Sequence, residues 1–218
     1  MPDRVFLFDV DNTLLDNDSV QDELGRHLAQ AYGEATRDRY WTIYKQLFAE
    51  LGYADYLGAL ERYRLENLHD PKLLQMATWL VDYPFAERLY PGALAAVAHA
   101  RTLGDISILS DGDAVFQPVK IAHSGLRAAF DDHVLIYVHK EQELADVERW
   151  LPAAHYVMID DKPRILGAMK KAWGGRVTTV WVRQGHYAAE AGAWDGWPPP
   201  DREIAAIGDF VGLAFPGP

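Results

Sequence analysis

The chain has 218 residues, of which 49% are apolar, and this is enough to bury one substantial hydrophobic core or one core with a small appended domain. It contains no cysteine, which excludes disulfide bonds, thiolate nucleophiles and cysteine-ligated metal sites, so any metal ion would be held by oxygen or imidazole ligands. The formal charge of −11, spread along the chain, argues against broad binding to nucleic acids, and we expect no nucleic-acid partner.

The N-terminal residues lead almost directly into a short apolar run, VFLF, without a basic region or a cleavage site, so the pattern does not indicate a signal peptide. No stretch approaches the roughly 18 consecutive apolar residues that a membrane-spanning helix needs. We therefore expect a cytoplasmic protein with no membrane partner. The sequence does not indicate the oligomeric state.

Five short runs are continuously apolar or β-branched, which is typical of strands that are buried on both faces of a parallel sheet. Stretches with helical spacing separate the later runs, and this alternation favours right-handed βαβ units. The predicted strands are Val5 to Phe8, Ile106 to Leu109, Val134 to Val138, Tyr156 to Ile159 and Val177 to Val182, and the predicted helices are 92–103, 114–129, 141–151 and 163–173.

The interval between the first two predicted strands is far longer than a crossover of about a dozen residues requires. Residues 16–88 lack strand-like runs and carry helical spacing, which predicts three to five helices inserted after the first strand. We therefore predict an α/β protein with a Rossmann-like parallel sheet, in which residues 1–15 and 89–218 form the core domain and residues 16–88 form a helical cap domain.

The tail, residues 184–218, contains several Gly, Pro and Trp residues, as in WDGWPPP, and shows little periodicity before IAAIGDF. We interpret it as an irregular closing segment packed on the core. The alternative is a loop that contacts a substrate or a partner.

Two aspartates, Asp9 and Asp11, directly follow the first predicted strand in FDVDNTLLD. Side chains alternate along an extended strand, so both carboxylates point to one side at the carboxyl edge, where open α/β sheets bind their ligands. They repel each other there unless a cation lies between them or one of them is protonated. Asp and Asn are also common turn residues at strand ends. An EF-hand calcium loop is excluded, because Thr13 and Leu14 stand where that loop has an acid or amide and then a glycine.

The segment from Asp9 to Thr13 resembles the first motif, DxDxT, of the phosphatases in the haloacid dehalogenase (HAD) superfamily. The resemblance implies that Asp9 is the nucleophile that attacks phosphorus and that Asp11 is the general acid and base. Thr13, which closes the loop, becomes a candidate substrate-binding residue. The resemblance also implies that the helices inserted after the first strand form a C1-type cap.

The second motif of that superfamily is a Ser or Thr at the end of the second strand, and ILSDG places Ser110 there. The resemblance implies that Ser110 binds the phosphoryl group. The turn residues Asp111 and Gly112 are candidates for the same role, because a hydroxyl and exposed backbone N–H groups are good donors to phosphate. By itself, ILSDG is equally typical of an ordinary strand-to-helix turn with a capping serine.

The third motif is a lysine that neutralises the charge of the aspartate and the phosphoryl group, and Lys140 stands in its place, with Lys120 as the alternative. A carboxylate cannot approach a phosphate dianion without such compensation. Glu141 follows Lys140 where the superfamily often has proline. The other interpretation of either lysine is a solvated surface residue.

The fourth motif is an acidic pair after the fourth strand, Asp160 and Asp161 in VMIDDKP. Adjacent carboxylates are destabilising without a partner, and Mg²⁺ is a natural one because it prefers a few carboxylates and waters. By resemblance, Mg²⁺ is held by Asp9, by Asp161 as a direct ligand and by the main-chain carbonyl of Asp11, while Asp160 acts through water or orients the lysine. The superfamily often has another Asp or Asn where Ile165 stands. The pair could instead be an acidic helix N-terminus.

Other candidate residues give weaker signals. The eight histidines show no paired ligand spacing, and only His139 lies beside the predicted site. The aromatic residues of the predicted cap are more typical of a core than of a surface that stacks on substrate. These aromatic residues are Tyr40, Trp41, Tyr44, Tyr53, Tyr56, Tyr63 and Trp79.

The resemblance therefore implies a Mg²⁺-dependent phosphohydrolase that cleaves a small phosphorylated metabolite through an aspartyl-phosphate intermediate on Asp9. A sugar phosphomutase of the same superfamily needs the same core residues. A dehalogenase fits less well, because its motif lacks the second aspartate, which here is Asp11. From a different class, a catalytically idle protein that binds a phospholigand is favoured by Ile165 and Glu141.

Overall fold

Six parallel strands form one sheet in the computed structural model, which describes residues 3–215. The strands are β1 (Arg4–Phe8), β2 (Asp105–Asp111), β3 (Val134–Tyr137), β4 (His155–Asp160), β5 (Val177–Val182) and β6 (Arg202–Ile204). Their order across the sheet is β3-β2-β1-β4-β5-β6, which is the doubly wound Rossmann order. The predicted α/β fold with a Rossmann-like sheet is confirmed.

The helices cover both faces of this sheet or lie in the insert between β1 and β2. They are α1 (Asn17–Tyr32), α2 (Glu34–Leu51), α3 (Tyr56–Glu66), α4 (Leu73–Val81), α5 (Ala93–Arg101), α6 (Phe116–His123), α7 (Leu126–Ala129), α8 (Leu144–Trp150) and α9 (Pro163–Trp173). The predicted helix at 114–129 is wrong in one respect, because it is two helices. The chain turns at Gly125, whose φ of 81° lies in the left-handed region that glycine tolerates.

The central strand β1 explains why the strand signals are continuous runs of apolar residues. Phe6 and Phe8 pack into one hydrophobic cluster, whereas Val5 and Leu7 pack into a second cluster on the opposite face. Successive side chains of a strand point to opposite faces, so a strand covered on both sides needs apolar residues at every position.

The sheet order places a crevice at the carboxyl ends of β1 and β4. From β1 the chain proceeds through β2 and β3 to one side, and then through β4, β5 and β6 to the other. The strands β1 and β4 are neighbours, with Phe8 opposite Ile159. Connections leave these two strands in opposite directions, and open α/β sheets bind their ligands at such a switch point.

The helices α1 to α4, called the inserted helices below, confirm the prediction of three to five helices after the first strand. Two connecting segments join them to the sheet and pair with each other through Leu15 and Leu89, where Asp16 N donates to Arg88 O at 2.8 Å. Buried residues of the inserted helices belong to the same hydrophobic cluster as β1. The division into a core domain and a cap domain of residues 16–88 stays a prediction.

The C-terminal tail is more regular than its sequence indicates. It adds β6, which pairs in parallel with β5, and Phe210 packs edge-on against Phe6 and Phe8 beneath the sheet. Strand β6 has three residues, Arg-Glu-Ile, of which two are exposed, so it lacks the apolar run that identifies the other strands. The prediction that the tail packs on the core is confirmed, and the prediction that it is irregular is wrong for β6.

Among residues 3–215, no helix combines the length and the apolar character that crossing a membrane requires.

We predict that Gly52→Ala destabilises the protein more than Gly125→Ala. Both glycines are left-handed, with φ of 80° and 81°, so alanine strains both by about 1 kcal/mol. A methyl group at Gly125 meets no heavy atom within 4 Å, whereas at Gly52 it would lie 2.5 Å from Cε1 of His139. Urea unfolding measures the loss of unfolding free energy in both variants.

The matched glycine pair tests the contact between the inserted helices and the loop that carries His139. Adding His139→Ala to Gly52→Ala should remove the part of the stability loss that comes from the contact, so that only the loss from backbone strain remains. Equal losses for Gly52→Ala and Gly125→Ala would contradict the contact.

Candidate active site

Asp9 lies at the carboxyl end of β1 and is held by its neighbours on both sides. Its N–H donates to Ile159 O on β4 at 2.9 Å, and Thr13 Oγ1 donates to its Oδ2 at 3.3 Å. The loop that follows is closed by hydrogen bonds to Val10 O and by Asn12, whose φ of 59° is left-handed. The side chain of Thr13 is buried, so Thr13 orients Asp9 and is not placed to contact a substrate directly.

Lys140 connects the ends of β1 and β4. Its ammonium lies 2.5 Å from Asp9 Oδ1 and 2.7 Å from Asp160 Oδ2, and it donates to Leu109 O at 3.2 Å. Burial by itself would lower the pKa of this ammonium, but the charges of Asp160 and Asp9 outweigh burial and raise the pKa above its ordinary value. Lys140 is therefore a fixed cation between two carboxylates, which is the position predicted for it.

Two acidic residues fix the loop that carries Lys140. Asp111 Oδ1 accepts the Lys140 N–H at 2.8 Å, so the carboxylate of Asp111 holds the lysine backbone. Glu141, which replaces proline, forms an ion pair with Arg164 of α9. That pair ties the lysine loop to the helix that follows the acidic pair, and it gives Glu141 a structural role at this position.

Asp161 is a buried carboxylate without a partner. Neither of its oxygens accepts a hydrogen bond from any group within residues 3–215, and its relative exposure is 0%. Burial raises the pKa of the Asp161 carboxyl well above its ordinary value; the charge of Lys162 opposes this rise, and the charges of Asp160 and Asp9 add to it. An unpaired buried charge is costly, so a ligand that supplies positive charge is expected here.

Three carboxylates can hold a divalent cation. One oxygen each from Asp9, Asp160 and Asp161 lies within 4.8 Å of the others. Asp160 is oriented by the Lys162 N–H, which donates to its Oδ1 at 2.8 Å. Carboxylate oxygens without a protein donor are the ligands that hard divalent cations prefer, so the residues present fit such an ion. Ile165 is fully buried in a hydrophobic cluster and contributes no ligand.

Asp11 is turned away from this group of carboxylates. Lys120 Nζ lies 2.7 Å from its Oδ1, Gln117 Nε2 donates to its Oδ2 at 3.3 Å, and Asn17 Oδ1 accepts from the same lysine at 2.9 Å. Of the four residues predicted to hold metal, the structure brings together the carboxylates of three and leaves out that of Asp11. Lys120, the alternative to Lys140, pairs with Asp11 and not with Asp9.

The predicted phosphate loop after β2 is only partly available to a ligand. Ser110 Oγ accepts from Gln117 Nε2 at 2.9 Å and donates to Asp111 O at 3.2 Å, and the side chain is 1% exposed. The Gly112 N–H already donates to Tyr137 O at 3.0 Å, so the prediction that Gly112 donates to substrate is wrong. The cause is the parallel register of β2 and β3, which continues one residue past the strand end.

Two cavities of about 410 and 490 Å³ open beside the carboxylates, and Asp11, Lys162 and Tyr187 line both. Asp9 is 1% exposed and lines neither of them. Burial alone would lower the pKa of the Lys162 ammonium, but the charges of Asp9 and Asp161 raise it well above its ordinary value. Lys162 therefore lines both cavities and also interacts with the buried carboxylate of Asp9.

Sequence reasoning missed four residues that shape the site. Lys162 follows the acidic pair directly, and this adjacency was a usable signal. Gln117 shares one face of α6 with Lys120, which was already a candidate, but nothing in the sequence places that face beside Asp11. Asn17 and Tyr187 are brought in by the inserted helices and by the tail, which have no local motif.

The remaining expectations have mixed outcomes. Tyr40, Tyr56 and Tyr63 are buried core residues, as predicted, whereas Tyr44 and Tyr53 each line a cavity. The tail does more than close the core. His186 and Tyr187 line a cavity, as do the later tail residues Glu190, Gly192, Ala193, Asp195 and Trp197.

Comparison with known proteins agrees with this geometry. Residues 4–172 match the family model described as haloacid dehalogenase-like hydrolase. The chain is 56% identical to a protein of Burkholderia xenovorans LB400 whose crystal structure is described as that of a haloacid dehalogenase-like hydrolase. The match covers 98% of this chain and 99% of that chain, with a TM-score of 0.93. A search of curated proteins finds no match.

More distant structures share the fold. L-2-haloacid dehalogenase from Xanthobacter autotrophicus, with chloropropionic acid covalently bound, is 22% identical, with a TM-score of 0.62 over 96% of this chain and 97% of that chain. The HAD-hydrolase YfnB from Bacillus subtilis, bound to magnesium, is 19% identical, with a TM-score of 0.61 over 96% of this chain and 97% of that chain. Its crystal structure is described as revealing interdomain movement.

We predict that Lys140→Met costs about 3 to 5 kcal/mol of unfolding free energy, because it leaves the buried carboxylates of Asp9 and Asp160 without a cation. Lys120→Met is the matched control. It removes a second buried ammonium, but its partner Asp11 is 21% exposed and can be hydrated, so the loss should be smaller. Urea unfolding with EDTA measures both, and a larger loss for Lys120→Met would contradict this description of the site.

Proposed function

Because the chain belongs to the haloacid dehalogenase-like hydrolase family, we propose that it is a Mg²⁺-dependent phosphohydrolase that cleaves a small phosphomonoester through an aspartyl phosphate on Asp9. In this proposal Lys140, Asp160 and Asp161 complete the catalytic centre, Asp11 is the general acid and base, and the inserted helices act as the cap. Ser110, with its hydroxyl beside Gln117, is the remaining candidate for contact with the phosphoryl group.

The observation that carries this proposal is the position of Asp11. Its carboxylate lines both cavities, two residues after the nucleophile, so it can reach a bound leaving group. An alkoxide leaving from phosphorus is a strong base and needs a proton, whereas a departing halide needs none. A second carboxylate at this place therefore favours phosphoester cleavage over dehalogenation, although a dehalogenase shares the fold.

The reaction can be written with the residues of this chain. An oxygen of Asp9 attacks phosphorus, the bond from phosphorus to the leaving oxygen breaks, and Asp11 donates a proton to that oxygen. Asp11 then takes a proton from water as the water oxygen attacks phosphorus. The Asp9–phosphorus bond breaks, which releases inorganic phosphate and restores the carboxylate. Lys140 keeps its positive charge throughout and offsets the charge of Asp9 and of the phosphoryl group.

The ion pair with Lys120 sets a condition on this reaction. In that pair Asp11 is a carboxylate, so it must leave Lys120 and turn towards the site before it donates a proton.

The carboxylates of Asp9, Asp160 and Asp161 would hold the Mg²⁺ ion. When bound, Mg²⁺ withdraws negative charge from the phosphoryl oxygens and helps to orient them.

The burial of Asp9 requires the site to open. At 1% exposure the carboxylate cannot meet a substrate, so Lys162 and the inserted helices must shift when the substrate enters. The connecting segments at Leu15 and Leu89 are the points at which such a shift can pivot. The interdomain movement described for the YfnB structure supports this part of the proposal. The cytoplasmic location and the absence of nucleic-acid partners stay predictions.

We predict that the protein releases inorganic phosphate from p-nitrophenyl phosphate with Mg²⁺ and not with EDTA. Asp9→Asn should abolish release, and Asp11→Asn should lower kcat by about 10²- to 10⁴-fold, because p-nitrophenolate leaves without a proton but the attack of water on the intermediate loses its general base. Asp105→Asn, an exposed aspartate at the opposite end of β2, is the control and should leave kcat unchanged. A parallel assay measures chloride release from 2-chloropropionate.

Two results would overturn the proposal. Metal-independent phosphate release that survives Asp9→Asn would exclude the mechanism, and chloride release without phosphate release would assign the site to dehalogenation.

We predict that Asp161→Asn raises the melting temperature in EDTA but removes the rise that Mg²⁺ causes in the unaltered protein. The substitution removes an unpaired buried charge and, with it, a ligand of the ion. Differential scanning fluorimetry with and without millimolar Mg²⁺ measures both effects, with Asp105→Asn as the control. A Mg²⁺-induced rise that persists in Asp161→Asn would show that the ion binds elsewhere.

The same carboxylate predicts a pH dependence of stability. Since burial raises the pKa of Asp161 above its ordinary value, the folded protein binds this proton more tightly than the unfolded chain does. Without metal, the contribution of Asp161 to stability therefore falls as pH rises from about 4 towards the raised pKa. The Mg²⁺-induced rise in melting temperature should follow the opposite course and shrink in acid, because bound metal requires the deprotonated carboxylate.

A further inference from the structure

The two cavities beside Asp11 are larger than a phosphoryl group requires, at about 410 and 490 Å³. Their sizes fall in the range of pockets that enclose a whole small molecule. Five residues line both cavities, and only two of these, Asp11 and Lys162, belong to the charged site. The others are Phe48, Ala54 and Tyr187, so the wall where the cavities meet is largely apolar and aromatic.

Phe48 reaches this wall from the inserted helices. Helix α2 turns Tyr40, Ile43 and Leu47 into the hydrophobic core, and Phe48 lies beside that buried face with 45% of its surface exposed. A large apolar side chain that is left partly in water gains free energy when a ligand covers it. Tyr44, one helical turn before Phe48, lines the smaller cavity on the same side.

Tyr187 faces the cavities from the C-terminal tail and is held in place. Its neighbour His186 is fixed to α1, because the His186 N–H donates to Asp18 Oδ2 at 2.8 Å. The ring of Tyr187 lies 5.7 Å from the ammonium of Lys162, so it adjoins the charged site. Phe48 and Tyr187 line the same two cavities, one from the inserted helices and one from the tail.

We propose, as an extension of the proposed function, that Phe48 and Tyr187 are specificity-determining residues that bind a flat ring in the leaving group. The substrate class is then a phosphomonoester of an aromatic or heteroaromatic alcohol. Aromatic rings stack or pack edge-on with one another, and two rings that line the same cavity favour a planar ligand over a flexible polar one. The phosphoryl group would face Lys162 and Asp11, while the ring fills the apolar wall.

The test compares benzyl phosphate with ethyl phosphate. Both release a primary alcohol with a similar demand for protonation, so a difference in kcat/KM between them reports the contribution of the ring. We expect kcat/KM to be on the order of 100-fold higher for benzyl phosphate, the range that buried apolar groups reach in specificity. Phe48→Ala should lower this ratio at least about tenfold while kcat/KM for ethyl phosphate stays within about threefold.

Two controls separate the ring contact from other effects. Leu74→Ala removes an apolar side chain of the inserted helices that is 78% exposed and lines neither cavity, so it should not change the ratio. Tyr187→Phe should keep the ratio and Tyr187→Ala should lower it, because the ring and not the hydroxyl makes the contact. Titration calorimetry with benzylphosphonate and ethylphosphonate, which are not hydrolysed, compares the two ligands by their dissociation constants.

The outcomes distinguish this inference from the proposed function. Release of phosphate from both esters with equal kcat/KM, or an unchanged ratio in Phe48→Ala, overturns the ring site and leaves the phosphohydrolase proposal standing. An equal loss for both esters in Phe48→Ala would assign Phe48 to closure of the inserted helices and also overturns the ring site. Release from neither ester, nor from p-nitrophenyl phosphate, overturns the proposed function and this inference with it.

Discussion

The buried ammonium of Lys140, placed between Asp9 and Asp160, is the interaction on which the rest of the site depends. Without it, three carboxylates would lie within 4.8 Å of one another in a nearly dry interior, and their repulsion would oppose folding. The ammonium of Lys162 also acts on these carboxylates, so two cations of the chain face three carboxylates. Asp161 accepts no hydrogen bond among the described residues, so it is the carboxylate most open to an added cation.

The sheet order explains why these charged groups meet. Asp9 and the acidic pair end neighbouring strands at the switch point, and Lys140 follows β3, two strands away from β1. A side chain as long as lysine is needed to span β2 and reach Asp9. Asp111, at the end of β2, accepts the Lys140 N–H at 2.8 Å and so directs the lysine backbone across that strand. The fold thus brings together residues that are far apart in sequence.

What the sequence could predict follows from whether a residue lies in a local pattern. Strands β1 to β5 could be predicted because burial on both faces imposes apolar runs. The candidate site residues could be predicted because they follow directly after these strands. Strand β6 has too few apolar residues for such a run. The hydrogen bond from the Gly112 N–H to Tyr137 O depends on the register of β2 and β3, which only the folded sheet defines. Lys120 could not be assigned to Asp11, because that contact depends on where α6 packs.

The burial of Asp9 connects the two parts of the molecule that carry no motif. A nucleophile protected from water must be uncovered by its own substrate, and the segments that cover the site are the inserted helices and the tail, which meet it through Phe48 and Tyr187. The inserted helices are fixed where they join the sheet, by the Leu15–Leu89 pairing, and the tail is fixed to α1 by the hydrogen bond from His186 to Asp18. Under the proposed function, binding energy from these two segments opens the site, so substrate choice and access to Asp9 are the same event. The residues at the strand ends can then stay the same while the covering segments decide which ester is admitted.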